Sequence, residues 1–230
     1  MVLESGTYKG FCWILVQNAG VSLPQIFGQA GFWFLSDDSL GHVSAWIISG
    51  ALKCLQAIHS QNIIHCDIHP ANVTICHTPL DIAVRIIDFG GAVEEGGTTD
   101  HINYDFASAY RCEPKNHPPT RADDIVSLAF MAIWMLKGTL PWNDLISDGS
   151  PTDLQQLIQC KQRPPESMTA GLDPAIQRFV AYALALPPST PFDEIDYQSH
   201  IKALRRYSAR EFTEARLRVW KPLRPGVTGK

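Results

Sequence analysis

The chain has 230 residues, of which 45% are hydrophobic, and its 19 Lys and Arg against 23 Asp and Glu give a formal net charge of −4. This length and composition predict one sizeable domain with its own core and exclude a wholly disordered chain. No apolar run reaches the ~18 residues of a membrane span, and no signal-peptide pattern opens the sequence, so we expect no membrane segment.

The cysteines and the C-terminal charges bear on compartment and partners. None of the six cysteines forms a C-x-x-C pair, which indicates reduced thiols in a cytoplasmic or nuclear protein rather than a zinc or disulfide framework. Residues 202–230 carry nine Lys and Arg and two Glu, a balance of +7, so the preceding residues carry −11. We expect 207–230 to be a basic tail that binds acidic partners, folds back on its own domain, or stays solvated.

The first predicted elements are a strand, a short helix and a long helix. An apolar, β-favouring run at 11–17 follows a turn at 6–10, and 22–29 suits a short helix. The long helix is predicted over 40–59, where apolar residues recur at three- and four-residue steps.

The rest of the chain is mostly helical in pattern. Two short strands are predicted at 72–76 and 83–87, followed by a long ordered loop at 91–120. Residues 124–136 are apolar all round, which predicts a buried central helix. Further helices are expected at 151–161, 173–185 and 194–206, with proline-rich breaks at 164–165, 187–188 and 191. This order predicts a helix-rich α+β domain over 1–206.

The strongest chemical pattern joins a loop to a strand that follows it. Residues 65–72 read HCDIHPAN, and residues 86–90 read IIDFG. Phosphoryl transfer needs a group that orients the attacking hydroxyl, and it needs oxygen ligands for Mg²⁺. Asp67 and Asn72, on one tight loop, can supply the orienting group and one ligand, and Asp88 can supply another. An isolated Asp-x-x-x-x-Asn pair is more often a loop cap, so the hypothesis depends on the joint context.

These two segments resemble the H-R-D-L-x-x-x-N and D-F-G motifs of eukaryotic protein kinases, preceded by a long helix as in that family. The resemblance implies a protein-kinase-like, mostly helical C-terminal lobe with a small β-hairpin and a remnant hinge strand. It implies an ATP-dependent enzyme that phosphorylates Ser or Thr hydroxyls of a protein substrate. The catalytic residues would be Asp67, His69 and Asn72. The Mg²⁺ ligands would be Asn72 and Asp88.

The sequence before this motif resembles a kinase hinge. Residues 15–23, LVQNAGVSL, look like the hinge of the casein kinase and vaccinia-related kinase group. That match implies that Val16 is the gatekeeper and that Gln17 and Ala19 hydrogen-bond adenine through their backbones. Thr74 would lie under the adenine ring.

Two later segments match the same group. RADDIVSL at 121–128 and LKGTLPW at 136–142 are similar to its R-R-D-D-L-E-S-L and L-x-G-x-L-P-W. The match implies that Asp124 hydrogen-bonds the backbone of the catalytic loop, and an ordinary helix N-cap is the alternative role. With a final helix at 193–204, the resemblance covers about residues 5–206.

Several parts of the family pattern are absent from these 230 residues. Kinases hold the nucleotide phosphates with a Gly-rich loop and a strand lysine. No G-x-G-x-x-G occurs here, and Lys9 and Lys53, the only lysines before Asp67, lie in a predicted turn and a predicted helix. We therefore expect an N-terminal lobe that is largely missing, weak or absent binding of Mg-ATP, and self-association through the unpaired strand at 11–17.

Four substitutions alter the predicted site itself. His69 replaces the catalytic-loop lysine, and a neutral imidazole is a poorer electrostatic partner for a phosphoryl group. Cys66 replaces an arginine that reads a phosphorylated activation loop. Thr74 replaces an apolar residue. Residues 102–108, INYDFAS, align with G-T-x-x-Y-A-S, so the expected Gly-Thr is lost.

Three functions remain open on these residues. The first is an ATP-dependent Ser/Thr protein kinase, truncated or degenerate, and the second is a non-catalytic pseudokinase that binds a protein partner. The third follows from His69, because aminoglycoside- and choline-kinase-like phosphotransferases use a loop resembling H-G-D-L-H-P-x-N. The 36-residue step from Asp88 to Asp124 favours a protein kinase over this small-molecule enzyme. The other histidines show no ligand spacing and the tryptophans no stacking pattern, so we expect no specific nucleic-acid site.

Overall fold

The computed structural model describes residues 2–9, 11–16, 18–28, 37–77, 82–113 and 117–208, and it confirms the predicted helix-rich α+β fold. The helices of these residues are α1 (Leu23–Phe27), α2 (Asp37–His59), α3 (Ala109–Cys112), α4 (Arg121–Lys137), α5 (Leu154–Lys161), α6 (Pro165–Thr169), α7 (Pro174–Ala185) and α8 (Tyr197–Ser208). None of the helices in the described ranges is both long enough and apolar enough to cross a bilayer.

The strands form small antiparallel sheets at the edges of the helical body. They are β1 (Val2–Tyr8), β2 (Phe11–Val16), β3 (Val21–Ser22), β4 (Ile63–Ile64), β5 (Val73–His77), β6 (Ile82–Ile86), β7 (Val93–Glu94), β8 (Ile146–Ser147) and β9 (Ser150–Pro151). Pairs form between β1 and β2, β4 and β7, and β8 and β9, while β5 lies between β3 and β6. The predicted strands at 72–76 and 83–87 are thus confirmed as β5 and β6, each shifted by one residue.

Helix α4 is the centre of the core, as its all-round apolar sequence predicts. It packs against α2 and α7, and residues such as Leu128 and Phe130 are fully buried. The helix begins earlier than predicted because Thr120 and Asp123 form a reciprocal capping box ahead of Asp124. It ends at Gly138, whose φ of 75° is the left-handed conformation that glycine favours at a helix C-terminus.

Helix α2 supports both the core and the β5–β6 hairpin. It packs against α8 and α4 on its other sides. Gly50 lets β6 approach closely, since a Cβ at this position would lie 2.6 Å from Cγ2 of Val84. This packing holds the hairpin, and the loop that precedes it, against the central helices.

Two local predictions were wrong. The strand at 11–17 has a partner, because β1 pairs with β2 in antiparallel register, and Gly6 lies within β1 opposite Trp13. The turn is at Lys9, with φ 49°, rather than across 6–10. The apolar strand is therefore covered along one edge, while its other edge pairs with no strand of the described residues, so self-association through it stays a prediction.

Other boundaries shift for local reasons. The proline pair at 164–165 starts α6 instead of only breaking the chain, because proline suits the first helical position. The loop at 91–120 contains β7 and α3 and otherwise lacks regular structure over its described part. The predicted basic tail lies outside the described residues from 209 onward, so the division at 206 stays a prediction.

Candidate active site

The loop between β4 and β5 is fastened to the start of α4 by Asp124. Oδ2 of Asp124 accepts a hydrogen bond from the backbone nitrogen of His65 at 2.8 Å, and Oδ1 accepts one from that of Cys66 at 2.9 Å. These bonds hold Cys66 at φ 68°, a conformation that costs energy for a residue with a side chain. The predicted contact of Asp124 with this loop is confirmed, and the N-cap role falls to Thr120.

A buried histidine completes the environment of Asp124. Nε2 of His59, at the end of α2, lies 2.9 Å from Oδ2 of Asp124, and its Nδ1 lies 2.5 Å from the hydroxyl of Tyr197 on α8. His59 and Asp124 are both almost completely buried. Three helices therefore meet at one polar network beneath the loop, and such satisfied networks fix a unique arrangement.

Cys66, which replaces the expected arginine, is not a reactive group. Burial raises the pKa of its thiol to about 12, and the nearby Asp124 adds to that effect. Because the thiolate is the nucleophilic form, this side chain is chemically quiet at neutral pH.

The carboxylate of Asp67 is surrounded by donors. Oδ2 lies 3.0 Å from Nδ2 of Asn72 and 3.4 Å from Nε2 of His69. Oδ1 lies 3.3 Å from Nε2 of His101 and 3.4 Å from Nδ2 of Asn103. Asp67 and Asn72 thus meet on one loop as their spacing predicts, His69 of the same loop lies beside them, and the loop after β7 adds two residues.

These contacts keep Asp67 ionised. Burial alone would raise the pKa of Asp67, but the hydrogen bonds and charges of His69 and then of His101 outweigh burial and hold the pKa well below its usual value. The carboxylate is therefore a hydrogen-bond acceptor at physiological pH, as a group that orients a hydroxyl must be.

The amide of Asn72 has a defined orientation. Its Nδ2 donates to the backbone carbonyl of Asp67 at 3.0 Å as well as to the carboxylate, and both partners can only accept. The amide oxygen must then point away from Asp67. An oxygen presented in this way is a suitable ligand for a hard cation such as Mg²⁺.

Asp88 lies after β6 on a short turn. Its backbone is left-handed, with φ 64°, and Oδ1 accepts a hydrogen bond from the nitrogen of Gly90 at 3.2 Å. The carboxylate is exposed, and the ring of the next residue, Phe89, is 48% exposed and meets His65 edge-on at 4.9 Å. Within the described ranges no three His, Cys, Asp or Glu side chains cluster as a metal site. A cation held by Asn72 and Asp88 would need further oxygens from phosphates or water.

Asn103 changes what the altered 102–108 segment implies. The segment lacks the Gly-Thr of the family pattern, but Nδ2 of Asn103 donates to Oδ1 of Asp67 at 3.4 Å. The substitution therefore keeps a link between this loop and the carboxylate.

The backbone of the next residues of the same segment accepts hydrogen bonds from buried side chains. The carbonyl of Asp105 accepts from Nε1 of Trp142 at 2.9 Å and from Nζ of Lys161 at 3.3 Å, and the carbonyl of Ala107 accepts from Nζ at 2.5 Å. The ammonium of Lys161 lies 4.8 Å from the ring centroid of Trp142 and 5.1 Å from that of Phe130. The L-x-G-x-L-P-W segment thus fixes the loop that reaches Asp67.

The hinge prediction is only partly within the described residues. Gln17 lies outside them, and of Val16 the structure gives the backbone at the end of β2. Oγ1 of Thr74 donates to the carbonyl of Ala19 at 2.8 Å, and Thr74 is 2% exposed. Its hydroxyl is therefore engaged by the hinge backbone, and the position of Thr74 under the adenine ring stays a prediction.

Gly20 explains how closely the hinge lies on β5. Its φ is 106°, and a Cβ there would come within 2.2 Å of the carbonyl oxygen of Ile75. Only glycine permits this approach. Together with the Thr74 bond, it joins the hinge firmly to the strand that follows the catalytic loop.

His101 is a site residue that the sequence does not predict. It shows no ligand spacing, and nothing local marks it, because it lies 34 residues from Asp67. The only signal was its position in a long ordered loop, a common location for functional residues.

Comparison with known proteins gives one family match. The model of the family described as protein kinase domain matches residues 37–217. This region includes the loop at 65–72, the turn at Asp88 and helix α4.

Individual relatives are similar at modest identity. Casein kinase I homolog 2 of Schizosaccharomyces pombe is 28% identical over 221 residues, which are 83% of this chain and 49% of that protein. Casein kinase 1-like protein HD16 of Oryza sativa subsp. japonica is 28% identical over 179 residues, 70% of this chain and 24% of that protein. Serine/threonine-protein kinase ste20 of Emericella nidulans is 26% identical over 192 residues, which are 82% of this chain and 21% of that protein. The chain thus spans about half, or less, of the length of these relatives.

Proposed function

Because the chain belongs to the protein kinase domain family, we propose that it carries the acceptor side and the metal side of a phosphotransfer site. The reaction would move the γ-phosphoryl group of ATP to a Ser or Thr hydroxyl of a protein. The two casein kinase relatives support a protein acceptor over the small-molecule acceptor that the His-Pro pair at 69–70 suggests.

The observation that carries this proposal is the arrangement of Asp67 and Asn72. An ionised, partly buried carboxylate lies beside an amide whose nitrogen it orients, on a loop fastened to the core by Asp124. Asp67 would accept the hydrogen bond of the attacking hydroxyl and aim its oxygen at phosphorus. Catalysis of this transfer depends mainly on such positioning and on charge stabilisation.

The residues present fit one Mg²⁺ ion, with phosphate oxygens completing its ligands. The amide oxygen of Asn72 and the exposed carboxylate of Asp88 would hold it. When bound, Mg²⁺ neutralises charge on the phosphates. Asp88 contributes from a turn that already places its carboxylate in solvent.

The nucleotide base would lie against the hinge. We assign the backbone of Gln17 and Ala19 to the adenine edge, with Val16 as gatekeeper and Thr74 under the adenine ring. The support is the Thr74–Ala19 bond, which fixes the hinge backbone.

A non-catalytic role as a protein-binding module is the second candidate. It is favoured by His69, which stands where the resemblance places a lysine, and by the exposed ring of Phe89. Loss of the lysine charge weakens stabilisation of the transferring group, while an exposed aromatic ring offers a contact for another surface.

A phosphotransfer assay separates these candidates. Because these residues lack the Gly-rich loop and the strand lysine, the assay needs γ-labelled Mg-ATP at high concentration to offset weak nucleotide binding. Under that condition we expect slow labelling of dephosphorylated casein, and we expect Asp67→Asn to abolish most of it. Asp144→Asn is the matched control, because it makes the same change at an exposed position outside the site. Labelling that is equal in Asp67→Asn and the parent chain would refute the proposed site. Labelling of aminosugars or choline alone would reassign the acceptor.

A further inference from the structure

All sides of the Asp67 carboxylate are occupied. An ionised carboxylate offers about four acceptor positions, two on each oxygen. Asn72 donates to Oδ2 at 3.0 Å, and Asn103 donates to Oδ1 at 3.4 Å. The Nε2 atoms of His69 and His101 lie at ion-pair distance, 3.4 Å from Oδ2 and 3.3 Å from Oδ1. An acceptor hydroxyl therefore reaches Asp67 only when one of these four side chains moves away.

The other three side chains are more enclosed than His101. Asn72 is buried and also donates to the Asp67 carbonyl at 3.0 Å. The side chain of His69 is 22% exposed. Asn103 is half-buried, and its side chain donates to Asp67.

His101 is the side chain that can leave. Its side chain is 51% exposed, whereas that of Asp67 is 14% exposed. The backbone around it is anchored, since Nη2 of Arg111 donates to the carbonyl of Thr99 at 3.0 Å and the nitrogen of His101 donates to Oγ1 of Thr99 at 3.2 Å. Rotation of the side chain alone would thus free Oδ1 without moving the loop.

We propose that the His101 imidazole is a displaceable plug that occupies the acceptor-hydroxyl position on Oδ1 of Asp67 and swings into solvent when a protein acceptor binds. The contact with Asp67 stands by itself, and its gating role rests on the proposed function. His101 is in this sense a residue that selects acceptors able to displace it.

The plug also touches the turn that carries Asp88. A Cβ on Gly91 would lie 3.4 Å from Cδ2 of the His101 ring, so the ring rests on the end of the Phe89–Gly91 turn. A shift of this turn on metal binding would alter the seat of the ring. The acceptor position and the metal turn are therefore joined through one side chain.

Carbodiimide labelling tests the contact without any catalytic activity. A water-soluble carbodiimide with glycinamide couples to carboxyl groups that it can reach, and peptide mass spectrometry gives the rate at Asp67. We expect His101→Ala, and His101→Phe, which keeps a ring but no charge, to label Asp67 several-fold faster, since each removes an ion pair that is half exposed and therefore stabilises only modestly. His117→Ala is the control, because this imidazole pairs with Glu113 at 3.0 Å in the same loop.

The gating role has a separate readout. In the casein assay, His101→Ala should lower the KM for casein several-fold and change the KM for ATP much less. Unchanged labelling of Asp67 in both His101 variants would overturn the plug. Faster labelling with an unaltered KM for casein would show a contact that does not gate. If no chain transfers phosphate, the proposed function fails, while the labelling rates still decide whether His101 covers Asp67.

Discussion

The carboxylate of Asp124 lies 2.8 Å from the backbone nitrogen of His65, and through this bond the central helix sets the shape of the loop that bears Asp67. The same carboxylate also accepts hydrogen bonds from the backbone nitrogen of Cys66 and from Nε2 of His59. A buried acceptor with three donors cannot be removed without leaving all three unsatisfied.

Asp124→Ala should therefore lower the free energy of unfolding by about 3–5 kcal/mol, and Asp124→Asn by about 1–3 kcal/mol, because the amide keeps one acceptor oxygen. Urea denaturation measures both. Asp173→Asn is the matched control: Asp173 caps α7 by accepting from the nitrogen of Ala175, and asparagine caps equally well. A loss of under about 0.5 kcal/mol in Asp124→Ala would show that these bonds do not secure the loop.

The sequence predicts α4 and the loop at 65–72 well, because the hydrophobic pattern and the motif spacing are both local features. The all-round apolar run gives α4, and the motif spacing brings Asp67 and Asn72 together on one loop. His101 escapes prediction because only the path of the loop after β7 brings it to Asp67. The β1–β2 pairing was missed since the polar residues of 4–9 do not alternate as a buried strand does.

Lys161 gives a prediction on pH. Burial lowers the pKa of its ammonium to about 8, an effect only partly offset by Cys112 and Asp105. The unfolded chain holds this proton up to a pH near 10.5. Between these values the unfolded state binds more protons than the folded state, so stability contributed by this group rises as pH increases.

The size of that rise is at most of order 3 kcal/mol. The measurement is the difference in unfolding free energy between the parent chain and Lys161→Met at pH values from 7 to 11, which cancels the titration of other groups. We expect the unfolding free energy of the parent chain to rise relative to that of Lys161→Met as pH increases. Lys202→Met, at an exposed position, should keep the parent's profile. Parallel curves for the parent and Lys161→Met would contradict an ammonium buried at a cost.

Thr74 gives a prediction on the hinge. Thr74→Val keeps the shape of the side chain and removes the donor to the Ala19 carbonyl, which should cost about 1–2 kcal/mol and speed amide exchange at 18–21. Thr74→Ser retains the hydroxyl and serves as the control. Equally fast hydrogen exchange at 18–21 in Thr74→Val and Thr74→Ser would show that the Thr74–Ala19 hydrogen bond does not stabilise the hinge.

The last prediction concerns the group beside Oδ2 of Asp67. His69 lies 3.4 Å from this oxygen, and in the resemblance a lysine stands at this position. An imidazole carries no permanent positive charge, so it stabilises the negative charge of a transferring phosphoryl group less than an ammonium does. The ammonium of a lysine carries a full charge on a longer, flexible chain.

His69→Lys should then raise transfer from Mg-ATP to casein about tenfold or more, since single preorganised donors at such sites change rates by about 10²–10³. The rise should appear in kcat, because the charge acts on the transition state more than on bound substrate. Asp67→Asn in the same background should abolish it, because the lysine supplies charge but does not orient the hydroxyl. His117→Lys adds the same charge away from Asp67 and should leave kcat unaltered. An equal gain in His117→Lys would mean that the added charge acts through general attraction of an acidic substrate, and that position 69 has no particular role in the transfer.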